Sequence, residues 1–387
     1  MRILHVIGGL ELGGAETLLY RIATRPAPGL EQEVICLGRP DWYSPRLEER
    51  GIKVHHLGMT SAVSTLAGFG RLRRLIRQSG ANVIQSWMYF ANVLSSLCAK
   101  GTGVPVIWGI HGSTLEHLGL ASHFCARAGG VFSGWLSDYV INCSQRSAEL
   151  HAGLGYSAAR NEVIPNGYDP AVFSPDESAR ARTRQSLGFD VHTFAIGSFA
   201  RWHSQKDIPN LLRATRDAAG RGVLLRCLLI GRGLDVDNAE LADEIRNNGC
   251  EELVAPLGQR SDVQDLARAL DVHVLASSGG EAFPNVVAET MLSGTPNIVT
   301  DIGDSALMVG DTGWVVPPSD PARLAGAIEQ AWREWCRDQN EWQRRRNAAR
   351  QSIAERFTFD RMAEAYERAW RHVAARAISA DRVPAAS

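Results

Sequence analysis

The feature that most constrains this chain is an alternation that runs through it twice. Short β-branched runs are each followed by a longer amphipathic stretch: RILHVI then 15–25, EVICL then 43–50, KVHHL then 64–79, NVIQSW then 90–100, VPVIWGI then 121–136, and DYVIN then 144–153. A strand followed by a crossover helix, repeated, predicts a doubly wound, largely parallel sheet with helices on both faces. The turn-rich stretch VIPNGYDPAVFSPDES, at about 163–178, interrupts the pattern, and Pro165, Asn166, Gly167, Pro170 and Pro175 mark it as a linker. The alternation then restarts: TFAIGSFA with a helix at 207–219, LLRCLLIG with 238–247, ELVAPLG with 262–269, DVHVLAS with 286–293, then PNIVTD, WVVPP and a helix from about 320. Two such series in 387 residues predict two similar α/β, Rossmann-like lobes facing across a cleft. Ligands of such sheets sit outside the carboxyl ends of the strands, so the loops after the strands are where chemistry is expected.

Charge and cysteine content narrow the class. With 41 basic and 42 acidic residues the net charge is -1, too balanced for a protein that wraps nucleic acid. The first 170 residues hold 15 basic and 12 acidic residues and the remainder 26 and 30, so the first half is the more cationic. The 7 cysteines, at 36, 98, 125, 143, 227, 250 and 336, form no C-x-x-C pair, which argues against a disulfide framework or a zinc site and fits a reducing cytosol. MRILHVIGGLELGG is too short an apolar run for a signal segment, and no stretch reaches a spanning length. Any membrane contact is expected from the side.

Four strand-exit loops carry candidate chemistry. In GGLELGGAET, Gly13 and Gly14 precede a helix expected near Ala15, whose free N–H groups could receive an anion, or simply make a tight turn; the spacing does not fit a nicotinamide site. After GSFA comes RWHSQKD, where Arg201 and Lys206 could converge on one diphosphate. SSGGEAFPNVVAETMLSGTP sets Glu281 in a loop and Glu289 in the first turn or so of a helix starting near Asn285. Carboxylates so placed accept hydrogen bonds from sugar or ribose diols, and the amides from Phe283 to Asn285 add donors for phosphate. His111 follows VIWGI, where substrate contact and a structural turn role stand evenly. His5 and His273 lie within strand patterns and read as core residues, and Asp235 and Asp237 in GLDVDN read as capping or solvent-exposed rather than metal-binding.

Taken in order, GGAE at 13–16, His111, IPNGYDPAVF at 164–173, Arg201 with Lys206, and GEAFPNVVAETMLSGTPNIVTDIGDSALMVGDTGWVVPP at 280–318 resemble the glycosyltransferase family 4 group of GT-B-fold enzymes over nearly the whole chain. VIQSWMYFANVLSSL and VIWGIHGS look most like bacterial exopolysaccharide and capsule sugar transferases. The resemblance implies an acceptor-binding lobe at 1–170, a nucleotide-sugar lobe at 171–355, a helix at 356–376 that crosses back to the first lobe, and a frayed tail at 377–387, with the segment near 165–175 free to hinge. It implies retention of anomeric configuration with no essential metal or cofactor. Arg201 and Lys206 would hold the donor diphosphate, Glu289 the ribose hydroxyls and Glu281 the transferred sugar. The backbone of Phe283, Pro284 and Asn285 would line the site, Gly14 would approach the diphosphate, and His111 would contact the sugar near the reacting carbon. Many relatives follow this histidine differently, whereas here Gly112 and Ser113 come next.

The expected activity is transfer from a nucleotide sugar, with UDP the commonest nucleotide among relatives, to a saccharide or lipid-linked saccharide, in the cytoplasm. A sugar-nucleotide epimerase or hydrolase of the same fold, or a non-catalytic sugar-nucleotide binder, is the alternative. The base pocket is expected around Gly231, Gly233, Gln259 and Arg260. RLRRLIRQ at 71–78 reads first as an ordinary helix with a solvated cationic face, and second as an attachment to anionic membrane.

Overall fold

The computed structural model describes residues 1–115, 119–190 and 192–381. The chain divides into two compact units, one formed by Met1–Asn166 with Asp360–Ser387 and the other by Gly167–Phe359.

Unit 1 runs β1 (Arg2–Ile7), α1 (Gly14–Thr24), β2 (Glu31–Cys36), α2 (Tyr43–Glu49), β3 (Lys53–His56), α3 (Ala62–Ser79), β4 (Val83–Trp87), α4 (Tyr89–Ala99), β5 (Val106–Ile110), α5 (Leu120–Leu136), β6 (Tyr139–Asn142), α6 (Gln145–Gly153) and β7 (Asn161–Val163). Its seven strands are ordered β3-β2-β1-β4-β5-β6-β7 and pair in parallel throughout. The central strands are buried on both faces, which is why β5 (VIWGI) reads as a continuous apolar run; β4 (VIQSW) is equally buried but carries Gln85 and Ser86 inside. Leu4, Val6, Ile84, Trp108 and Ile110 form the core with Leu72 and Ile76 of α3.

Unit 2 runs α7 (Glu177–Ser186), β8 (Phe194–Phe199), α8 (Ile208–Gly220), β9 (Leu225–Ile230), α9 (Ala239–Asn247), β10 (Val254–Gly258), α10 (Val263–Ala269), β11 (Val272–Leu275), α11 (Asn285–Leu292), β12 (Asn297–Thr300), α12 (Ser305–Val309), β13 (Trp314–Val316), α13 (Pro321–Arg337) and α14 (Gln339–Arg356). Its six parallel strands are ordered β10-β9-β8-β11-β12-β13. Helix α7 was not expected, because ESARARTRQS has no apolar stripe. It docks through charge instead: Arg180 and Arg184 both donate to Asp271, which is 1% exposed and also accepts from the Ala195 N–H at 2.8 Å.

The segment expected to hinge is bound into unit 2. Tyr168 is buried, its N–H donates to the Phe357 carbonyl and its carbonyl accepts from the Phe359 N–H, each at 2.9 Å. Arg350 donates to the carbonyls of Phe173 and Pro170. The unit boundary therefore falls at Asn166/Gly167, a few residues ahead of the expected 170/171. The last helix, α15 (Phe359–Asp381), enters unit 1 from Asp360 and continues past the expected end at Arg376. Within unit 1, Arg25 pairs with its Asp360 and Glu367, and the Trp370 indole donates to Gln85 Oε1 at 3.0 Å. Of the tail expected to fray, residues 382–387 lie outside the described residues.

Candidate active site

The sheet of unit 2 changes direction at one place. From β8 the chain adds β9 and β10 on one side, then returns to add β11, β12 and β13 on the other. Such a reversal parts the loops that follow the two inner strands and leaves a crevice at their carboxyl ends. The loops after β8 and β11 are those that carry Arg201 to Lys206 and Ser277 to Pro284.

Lys206 closes a single 3-10 turn, Ser204–Lys206, which His203 Nδ1 caps by accepting from the Gln205 N–H at 3.3 Å. Asp207 then takes a left-handed conformation (φ 44°, ψ 48°) that turns the chain into α8, and its carboxylate accepts from Ser319 Oγ at 2.8 Å. A non-glycine residue held at positive φ is strained and persists only where its surroundings fix it. The Lys206 ammonium donates to Glu281 Oε1, and Ser277 Oγ donates to the same oxygen at 2.7 Å. Glu281 is 7% exposed, so its carboxylate needs both partners; Lys206 is half-buried.

Hydrogen bonds to backbone carbonyls hold these loops together. The Ser278 N–H donates to the Gln205 carbonyl at 2.9 Å, Thr300 Oγ1 to the Ser277 carbonyl at 2.6 Å, and the Asp304 N–H to the Ala282 carbonyl at 2.9 Å. Two glycines at positive φ make the approach possible: a Cβ on Gly280 (φ 75°) would lie 2.6 Å from the Gln205 amide, and one on Gly303 (φ 59°) would collide with the Glu281 and Ala282 carbonyls. Helix α11 opens at Asn285 after Pro284, so Glu289 stands beyond the first turn, where the helix dipole alone explains it poorly. Asn285 is fixed by Tyr168, whose hydroxyl donates to its Oδ1 at 2.7 Å. The Phe283 ring is buried and stacks on Tyr168, leaving its backbone, not its side chain, as the part that could meet a ligand.

The structure thus brings Lys206, Glu281 and Ser277 together. Arg201 is exposed on the same loop as Lys206 and forms no ion pair among the described residues. Ser277, Gln205, Asp207 and Tyr168 were not singled out in the sequence. Only the serine pair before Gly279 and Gly280 was visible as a signal; the other three act through tertiary contacts.

The two candidates of unit 1 are finished differently. Gly13 is the N-cap of α1, but the Glu16 carboxylate lies against Gly13, over the helix start expected to receive an anion. Burial raises the pKa of Glu16. His111 follows β5, its ring stacked on Trp87 at 5.3 Å, and its Nε2 is buried with no hydrogen-bond partner among the described residues. Burial lowers its pKa to about 4, so the ring is neutral near pH 7. Trp87 is itself anchored: its indole donates to His5 Nδ1 at 3.2 Å, which leaves the proton of His5 on Nε2, 2.9 Å from Gln32 Oε1. Between Trp87 and α4, Met88 adopts φ 69°, ψ 163°, a conformation almost confined to glycine, and nothing in the sequence marked it.

Of the remaining expectations, His5 and His273 are fully buried, with pKa values lowered to about 4 by burial. Asn238, rather than Asp235 or Asp237, caps α9, and Asp237 is exposed. Gly231 and Gly233 form the turn after β9, and the Arg260 guanidinium pairs with Asp262.

Residues 12–172 match the family described as Glycosyltransferase Family 4, and residues 192–334 match the one described as Glycosyl transferases group 1. The D-inositol 3-phosphate glycosyltransferase of Kineococcus radiotolerans is 26% identical over 358 residues, covering 82% of each chain. The UDP-Gal:alpha-D-GlcNAc-diphosphoundecaprenol alpha-1,3-galactosyltransferase of Escherichia coli is 22% identical over 263 residues, 64% of this chain and 65% of that one. Among solved structures, Anabaena Alr3699/HepE in complex with UDP superposes with a TM-score of 0.82 at 22% identity, over 95% of this chain and 99% of that one. With both halves matched in order and two parallel sheets of the same architecture, the chain belongs to the family 4 glycosyltransferases of GT-B fold.

Proposed function

We propose that the protein transfers a hexose, with retention of configuration and without a bound metal, from a UDP-sugar to a saccharide acceptor that is lipid-linked, at the cytoplasmic face of a membrane, in bacterial polysaccharide or glycolipid synthesis. The observation that carries the reading is the Lys206–Glu281 pair, braced by Ser277, at the switch point of unit 2. The ammonium has three donors and gives one to Glu281, which holds the cation in place while leaving donors for a diphosphate. Arg201, exposed on the same loop, adds a planar fork for the same anion. Glu289 takes the ribose hydroxyls, Glu281 a hydroxyl of the sugar, and the backbone of Phe283, Pro284 and Asn285 lines the site. Gly14 approaches the diphosphate, and the orphaned Nε2 of His111 finds its partner in a sugar hydroxyl. UDP is supported by the UDP-bound relative, and a lipid-linked acceptor by the diphosphoundecaprenol-specific one.

In the step itself the acceptor oxygen bonds to the anomeric carbon on the face from which the diphosphate departs. The bond from that carbon to the phosphate oxygen breaks with its electron pair, and the acceptor proton passes to the leaving phosphate. Lys206 and Arg201 offset the charge that grows on the departing oxygen. A panel of nucleotide sugars incubated with and without acceptor, in buffer with and without chelator, tests the reading. Nucleotide release that depends on acceptor and survives chelation supports it. Epimerised sugar, or release that ignores the acceptor, favours an epimerase or hydrolase, and strict metal dependence refutes the metal-free part.

A further inference from the structure

We infer that the helical layer α3–α4–α5 of unit 1 is a face that docks on anionic membrane, with α5 supplying the apolar contact. Right-handed crossovers from β3 through β6 place these three helices in sequence on one face of the sheet, α4 packing between the other two. None of the three contains an acidic residue. Between Arg50 and Asp138, Glu116 is the only carboxylate side chain, against Lys53, Arg71, Arg73, Arg74, Arg77, Lys100 and Arg127.

The outward side of α5 is apolar along its length. Leu120 is 92% exposed, Phe124 73%, Val131 75% and Trp135 64%, with Phe132 beside them. Their spacing repeats at helical period, so they form one stripe. The stripe faces outward because the opposite side is locked: Gly129 and Gly130 pack so closely on Tyr156 and the Leu154 carbonyl that a Cβ on either would collide. Cations frame it. Lys100 Nζ lies 4.4 Å from the centroid of the Trp135 ring and donates to the Trp135 carbonyl at 2.7 Å, Arg160 donates to the carbonyls of Gly134 and Ser137, and Arg127 is exposed on α5 itself. On α3, Arg71, Arg74 and Arg77 are exposed, and Val63 and Leu66 in its first turns are exposed apolar side chains. None of these cations pairs with a carboxylate among the described residues.

RLRRLIRQ supplies charge to this face rather than its apolar contact. Leu72 and Ile76 are buried in the core and Arg73 donates to the Cys98 carbonyl, so the exposed side of α3 along this stretch is mainly Arg71, Arg74, Arg77 and Gln78. An apolar stripe with interfacial aromatics, ringed by unpaired cations, has the chemistry of a lipid headgroup boundary. A second copy seated on the same face would set cations against cations. No described helix is long and apolar enough to span, so the contact is lateral. The inference rests on the proposed lipid-linked acceptor for its purpose, not for its physics.

Flotation of the full chain with vesicles of phosphatidylcholine, alone or with about one third phosphatidylglycerol, tests it. The wild type is expected to float with the anionic vesicles at low salt, and less as salt rises. Phe124→Ser with Trp135→Ser should lower partitioning at least about tenfold; Arg71→Gln with Arg74→Gln and Arg77→Gln should remove the preference for anionic lipid. A wild type that stays soluble, a serine pair that floats like the wild type, or a dimer that the serine pair dissolves would each overturn the proposal. Thermal shift with UDP-glucose, run on the same proteins without vesicles, verifies folding and separates a failure of this face from a failure of the transferase reading.

Discussion

The two units share one kind of sheet, and the strand-exit loops that carry their candidate residues are finished in opposite ways. In unit 2 a cation and a carboxylate are brought together, half out of water, with donors of the cation left over. In unit 1 the loop after β1 leads into a helix start covered by Glu16, and the loop after β5 carries a neutral histidine stacked on Trp87. On the proposed reading, the charge that grows on an anionic leaving group would be offset from unit 2, and the neutral His111 of unit 1 would meet a sugar hydroxyl.

The largest expected effect tests the scaffold behind the charged site. Asp271 anchors α7 and β8 of unit 2, so Asp271→Ala leaves the buried Arg184 and the part-buried Arg180 without their carboxylate and should cost about 3–5 kcal/mol in unfolding free energy. Denaturant melts with a probe in each unit would show the loss confined to unit 2; an equal loss in unit 1 would break the separation. Next, Lys206→Ala should lower turnover at saturating donor by roughly a hundredfold or more, and Arg201→Ala likewise. Near-normal transfer by both would remove unit 2 as the source of charge stabilisation.

Acid should act on both units, with two of the three groups in unit 1. His5, His111 and His273 are folded as neutral rings with pKa values near 4, below the unfolded value near ~6.5. The unfolded chain binds more protons in that interval, so stability is full above the unfolded pKa and falls as pH drops from about 6.5 toward 4. The slope is about 1.4 kcal/mol per pH unit for each histidine. Melts of His5→Gln and His273→Gln across this range should each show a shallower slope; an unchanged slope would mean the ring is not the group that titrates. The smallest effect is Tyr168→Phe, which removes the hydrogen bond to Asn285 and should cost about 1 kcal/mol while raising the KM for donor more than it lowers kcat.

Most of the architecture could be read from periodicity, because strands buried on both faces give unbroken apolar runs and their crossover helices give amphipathic ones. Helix α7 escaped because its docking depends on arginines reaching a buried aspartate, which no local pattern reveals. The loop residues Lys206 and Glu281 were identifiable by their place after strands, but their pairing is a property of β8 and β11 lying side by side. IPNGYDPAVF has the proline and glycine content of a linker, yet Tyr168 turns it into part of the site, since its partners lie at Asn285 and Phe357. Met88 illustrates the reverse limit: its strained backbone, whose N–H donates to the Gly109 carbonyl of β5, leaves no trace in composition.

Calorimetric titration of UDP-sugars into the wild type and Lys206→Ala, with no acceptor present, bears most directly on the donor site of unit 2. The wild type should bind one UDP-sugar and the variant should bind it at least about tenfold more weakly, the loss of about one charge-assisted contact. Equal affinity in the two proteins would contradict the assignment of that ion pair to the diphosphate.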